Sequence, residues 1–240
     1  MDPSEKKRFT FDKIPDLTGK VVIWREVRLP LKKIKSETGN RNVEFLHLNL
    51  KSLKSVKECA ETFLARNLPL HILIFSLTED GIQEEFGVYH VGHFLLTKLL
   101  LPKIKASQPA RIVNVSSRVH MIVEGVIEFE KLNDPNAQEP GQRYALSKLA
   151  NGLVNTNMLK RNDFSLSETY ISTSISPEDG AITTLYCATS PEIEEKNYRG
   201  RYFVPFGIEG EKSSYFDDDD LAKRLWEFTE NLINEKLSQK

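Results

Sequence analysis

The chain has 240 residues, 40% hydrophobic and 28% charged, with a formal net charge of −1. That suits one soluble α/β domain, and with no basic patch or stripe it argues against a nucleic-acid partner. The longest weakly charged apolar stretch, residues 91–101, contains His93 and Lys98 and is too short to span a bilayer. M-D-P-S-E-K-K-R at the N-terminus has no apolar leader core, and Cys59 and Cys187 belong to no motif. A reduced, cytoplasmic setting is therefore expected.

In chain order, K-V-V-I-W (20–24), V-E-F-L-H-L-N-L (43–50), H-I-L-I-F (71–75), R-I-V-N-V-S (111–116) and R-Y-F-V-P-F (201–206) are predicted strands. The first four are short and rich in β-branched residues. They are nearly continuous in apolar character at their centres, as strands buried on both faces are. Helices are predicted over 55–67, with Ser55 or Ser52 as N-cap, and over 86–105, 142–161 and 217–233. The Ser/Thr-rich piece 165–177 is predicted to be irregular. Strands alternating with helices give βαβ units and a doubly wound parallel sheet of Rossmann type. Residues 1–18 are expected to form an N-terminal extension and 19–240 a single domain.

R-Y-A-L-S-K-L-A-N (143–151) places Tyr144 and Lys148 four residues apart, on one helix face. A free phenol titrates near 10 and is a poor acid at neutral pH, but a nearby ammonium favours the phenolate. A phenol tuned in this way can protonate a carbonyl oxygen or deprotonate an alcohol. Such a pair also arises often by chance, as two ordinary residues of a helix surface. Ser117 lies just past the end of the strand 111–116, where open α/β sheets bind ligands. Its hydroxyl could hold the substrate oxygen.

Several segments together resemble the short-chain dehydrogenase/reductase family: F-D-K-I-P-D-L-T-G-K-V-V-I (11–23), F-G-V-Y-H-V-G-H-F-L-L-T-K-L-L-L-P (86–102), R-I-V-N-V-S-S-R-V-H (111–120), R-Y-A-L-S-K-L-A-N (143–151) and S-P-E-I-E-E-K-N-Y-R-G-R-Y-F-V-P (190–205). The likeness is to the fungal branch related to retinol dehydrogenases and the WW-domain-containing oxidoreductase. It implies a Rossmann fold and NADP(H) or NAD(H) as cofactor. It also implies a small lipophilic carbonyl or alcohol substrate, a place in fungal secondary metabolism, and a possible homodimer. By the same resemblance Ser117 orients the substrate, Tyr144 is the acid/base, and Lys148 tunes Tyr144 and holds the nicotinamide ribose. Asn114 and, weakly, Asn49 fall at cofactor-binding positions.

The sequence departs from the family's pattern in several places. No glycine lies between Gly19 and Gly39, so the Gly-rich turn after the first strand is missing. Glycine there lets the backbone approach the pyrophosphate at a helix N-terminus. A block of roughly 20–30 residues is read as absent, so fewer strands and helices than in a full member are expected. Each apolar side chain bared by the lost helix costs roughly 1.5–3 kcal/mol. The family's N-N-A-G motif is gone after residue 75, Tyr89 stands where its active-site Asn belongs, and its strand with a P-G turn after the Tyr/Lys helix is read as absent. Asn49 replaces the usual Asp. Impaired cofactor binding follows. The open alternatives are a non-catalytic relative, acting as a pseudoenzyme or interaction protein, and the product of a mis-spliced or mis-predicted gene. His90 and His93 share a helix face, yet no carboxylate stands at ligand spacing, so no metal site is expected. Lys32, Lys33 and Lys35 read as a solvated helix face, and Asp217–Asp220 as complements to a helix dipole.

Overall fold

A computed structural model describes residues 9–25, 31–75, 86–125, 127–132, 139–160, 165–170 and 177–239. Strands β2 (Ile72–Phe75) and β3 (Arg111–Ser116) are buried at every position. Continuous apolar runs become strands here because helices cover both faces of the sheet. The other elements are β1 (Val22–Arg25), α1 (Leu31–Thr38), α2 (Leu53–Ala65), α3 (Gly92–Lys105), α4 (Pro140–Lys160), β4 (Ser165–Tyr170), α5 (Pro177–Thr189), α6 (Glu192–Glu195), β5 (Arg201–Val204), β6 (Ile208–Glu209) and α7 (Asp219–Ser238). The six strands lie side by side in chain order. Strands β1 to β5 are parallel, and β6 closes the sheet as an antiparallel hairpin with β5. This is the expected α/β architecture of Rossmann type.

The side-chain period of a strand is two, so each strand divides its residues between two cores. Leu73, Phe75 and Ile112 face the larger core, which α2, α3, α4 and α7 complete through Val56, Phe63, Leu96, Leu149 and Leu225. Ile72, Ile74, Val113 and Phe203 face a second core under α5 and α6. Phe9 lies in this second core at 6% exposure, and its N–H donates to Phe206 O at 3.2 Å. Helix ends follow ordinary capping. Of the two candidate serines, Ser52 caps α2, accepting from Ser55 N. Asp218 caps α7, accepting from Leu221 N, with Asp219 and Asp220 in its first turn.

Two sequence expectations are corrected. Residues 43–50 form no strand. A strand exists only against a partner, and β1, the edge of the sheet, pairs with β2 alone. Leu46 and Leu48 pack on the larger core as coil while Phe45 is 70% exposed. Conversely, part of the piece predicted to be irregular, Ser165–Tyr170, is strand β4. It pairs along its length with β3 and over three residues with β5. The strand read as absent after the Tyr/Lys helix is therefore present, in a polar sequence. Two flanking ladders impose it where local propensity does not. Helix α5 was not foreseen from the sequence, although Pro177 at its first position, followed by Glu178 and Asp179, is a standard helix start.

Bare apolar surface lies at one edge. Val22 and Trp24 pair in register with Ile72 and Ile74, so they point to the face that α5 covers further along the sheet. They are 42% and 53% exposed. Among the described residues nothing covers that face of β1.

Candidate active site

Three elements meet at the carboxyl end of β3. Ser117 follows the last residue of the strand and is 8% exposed. It caps a 3-10 turn, Arg118–Ile122, by accepting from Val119 N at 3.4 Å. That turn packs on α4, which carries Tyr144 and Lys148. Within β3, Ile112, Asn114 and Ser116 alternate toward the α4 face. Ser116 Oγ donates to Lys148 O at 3.4 Å, joining strand and helix.

Lys148 is 1% exposed. Burying an ammonium is costly unless it is satisfied. Its Nζ donates to Val115 O at 3.2 Å and stands 5.5 Å from the centre of the Tyr144 ring, within cation–π range. Tyr144 is half-buried against the larger core. The structure thus brings Tyr144 and Lys148 into contact and sets Ser117 on the element packed against their helix. The Asn114 side chain, 2% exposed, leaves its amide nitrogen without a hydrogen-bond partner in the same region of β3. Asn49 lies apart, exposed on the coil before α2, its Oδ1 accepting from Lys51 N at 3.1 Å.

A cleft of about 100 Å³ opens beside Tyr144's helix. It is lined by Ile122, Val123 and Ile127 from the segment after β3 and by Gln142, Ala145 and Leu146 from α4, with Glu124 and Glu128 also in its wall. Its lining mixes aliphatic and polar side chains and includes none of Ser117, Tyr144 and Lys148.

Behind the site, His90 is fully buried, and burial holds its ring neutral, its pKa lowered to about 4. It lies in a single turn of π-helix, Gly87–Val91, that leads into α3. Its Nε2 is 3.0 Å from Thr229 Oγ1, and its Nδ1 is 3.3 Å from the Asn151 side-chain oxygen. Thr229 already donates to Leu225 O, so the histidine donates through Nε2 and Nδ1 is left as an acceptor. The neutral ring is best served by Asn151 with its amide nitrogen turned inward. His93 stacks on Phe75, ring centres 4.3 Å apart. Tyr89 also belongs to the π-turn, but its side chain lies outside the described residues.

The residues fit a nicotinamide dinucleotide at one end only. At the ribose end, a buried ammonium and a phenol stand together, and β3 beside them carries the Asn114 amide, without a hydrogen-bond partner among the described residues. At the pyrophosphate end, a helix N-terminus should follow β1 with its body packed on the strand. A helix, α1, does follow β1 from Leu31, but Val22 and Trp24 on the strand stay about half exposed and R-E-V-R-L-P (25–30) offers no glycine. Residues 26–30 and 76–85, where the two missing loops were read, lie outside the described residues.

A parallel α/β sheet with a Tyr/Lys helix at the end of a central strand is the architecture of a nucleotide-dependent oxidoreductase fold. No family model matches the chain. Individual relatives do. A chloroplastic short-chain dehydrogenase of the plant Brassica napus is 34% identical, the match covering 81% of this chain and 73% of that protein. Human retinol dehydrogenase 11 is 33% identical over 85% of this chain and 74% of its own length. Among solved structures, an uncharacterised protein of Mycobacterium paratuberculosis superposes with a TM-score of 0.62 at 28% identity, covering 83% of this chain and 80% of that one. The chain belongs to the short-chain dehydrogenase/reductase family.

Proposed function

We propose that the chain is an oxidoreductase acting between a carbonyl and an alcohol, whose proton-handling group is retained and whose hold on a nicotinamide cofactor is weak. Ser117 Oγ holds the substrate oxygen. The Tyr144 phenol hands a proton to that oxygen, or takes one from an alcohol. The Lys148 ammonium stabilises the phenolate left behind. The hydride belongs to the nicotinamide, NADP(H) or NAD(H), with Tyr144, Lys148 and Asn114 at its ribose end. Asn49 contributes less, being exposed and turned to its own loop. The observation that carries this reading is the buried Lys148 ammonium 5.5 Å from the Tyr144 ring, beside the end of β3.

The cleft beside α4, with Ile122, Val123, Ile127 and Leu146 in its wall next to Glu124, Glu128 and Gln142, is the place for a small molecule with an apolar body and a polar end. No described helix is long and apolar enough to cross a membrane. The test is a panel of lipophilic ketones, aldehydes and alcohols assayed with millimolar NADPH and NADH. Turnover is expected, and Tyr144→Phe is expected to lower it roughly 10²–10⁴-fold. A folded protein that turns over nothing at any cofactor level would contradict the reading. So would turnover indifferent to Tyr144→Phe.

A second reading is a non-catalytic relative that works as an interaction protein. One observation favours it, the bare face of β1 with Val22 and Trp24 half exposed.

A further inference from the structure

Two buried residues far apart in sequence, His120 and Phe216, connect Ser117 to the helix of Tyr144 and Lys148. His120 is 0% exposed. Its Nδ1–H donates to Ser117 O at 2.5 Å, and its Nε2 accepts from Ser213 N at 3.4 Å. Both contacts are met by one neutral tautomer. The His120 ring stacks on Phe216, with ring centres 4.8 Å apart and planes 13° apart, and meets the Tyr202 ring of β5 edge-on at 5.0 Å. Phe216, 1% exposed, lies directly against α4 at Gly152. A Cβ at Gly152 would fall 2.1 Å from Phe216 Cζ. Gly152 is one turn beyond Lys148 on the same helix. On the other side, Tyr215 Oη donates to Gly125 O, in the loop that leads to the cleft.

We infer that the Ser213–Phe216 turn is a strap that sets the spacing between Ser117 and the Tyr144/Lys148 pair, with His120 and Phe216 as positioning residues for the proton-transfer group. This rests on the assignment of those three residues to the site. Ser117 is gripped through its own carbonyl oxygen, and its hydroxyl, which accepts from Val119 N, keeps its proton to donate. The helix is gripped through a contact that only glycine allows. One rigid stack of two rings spans both grips, so loosening either end changes the distance across the site.

The strap can be tested without a cofactor. In protein labelled with ¹³C at tyrosine, the Tyr144 aromatic resonance is assigned by its loss in Tyr144→Phe. Phe216→Leu and His120→Gln are then compared with Phe63→Leu, a buried change on α2 away from the strap. The Tyr144 resonance is expected to move in Phe216→Leu and in His120→Gln and to stay in place in Phe63→Leu. An unmoved resonance in the strap variants would overturn the inference, as would an equal displacement in Phe63→Leu. If Phe216→Leu does not fold, His120→Gln decides alone. Where turnover has been found, a misplacement of ~1 Å is expected to lower kcat on the order of a hundredfold, with KM for the substrate little changed. Equal losses in kcat and in folded fraction, with the resonance unmoved, would mark the stack as packing only. The resonance reports the strap even if the chain proves unable to turn over any substrate.

Discussion

A lysine that is 1% exposed needs a reason to be there. Lys148 has one in Val115 O and the Tyr144 ring, but a methionine of similar length could fill the same space without the charge. Replacing a satisfied buried charge by an apolar side chain of like volume is often neutral for stability. Lys148→Met is therefore expected to change unfolding free energy by less than about 1.5 kcal/mol while abolishing turnover. Urea titration and the carbonyl assay separate the two effects, and a loss of stability as large as the loss of function would assign Lys148 to the scaffold. His90 gives a pH dependence. Its folded pKa, about 4, lies below its unfolded value, so between about pH 6.5 and 4 the unfolded chain binds more protons. Stability is then lost as pH falls through that window, by on the order of 3 kcal/mol. His120, also lowered by burial, acts in the same direction. Melting temperature followed across that window should fall in the wild type and fall less in His90→Gln. A flat profile would mean the ring is not held neutral.

Helix α4 shows what sequence patterns reveal and what they hide. Its extent and the Tyr144/Lys148 pairing were legible because both follow from helical spacing alone. Gly152 gave no signal of its own in the sequence, because its purpose lies 64 residues away in Phe216 (216 − 152). Alanine normally stabilises a helix by about 1 kcal/mol over glycine. Here the added methyl meets Phe216 Cζ at 2.1 Å in a full core, and overpacking costs roughly 1–3 kcal/mol. Gly152→Ala is expected to lower stability, the reverse of the propensity rule, and chemical denaturation would show the sign. Strand β4 and the coil 43–50 teach the same point from opposite sides. S-L-S-E-T-Y is a strand because β3 and β5 lie on either side of it. V-E-F-L-H-L-N-L has the better strand sequence and stays coil because no strand adjoins it. Pairing partners are properties of the whole sheet, and a single segment does not carry them.

At the scale of the molecule, one departure from the family shows in the packing at the sheet's edge. The larger core, the end of β3 and the Tyr/Lys helix are closed and well packed, whereas β1 bares Val22 and Trp24 where a helix would cover them. Trp24 still has about half its surface covered, so Trp24→Lys is expected to cost on the order of 1–2 kcal/mol. A loss several times larger in urea titration would mean the face is covered. The same edge is where a dinucleotide's pyrophosphate would have to be held, so its packing bears on stability and on cofactor affinity together. The run without glycine from 20 to 38 was legible in the sequence, whereas the strap behind Ser117 was not. The account's central claim is a complete proton-transfer group beside an incomplete cofactor cradle. Titration of the purified, folded protein with NADPH and with NADH, followed by tryptophan fluorescence and energy transfer to the nicotinamide, tests it directly. The account expects no saturation below millimolar cofactor, and saturable binding in the micromolar range would contradict it.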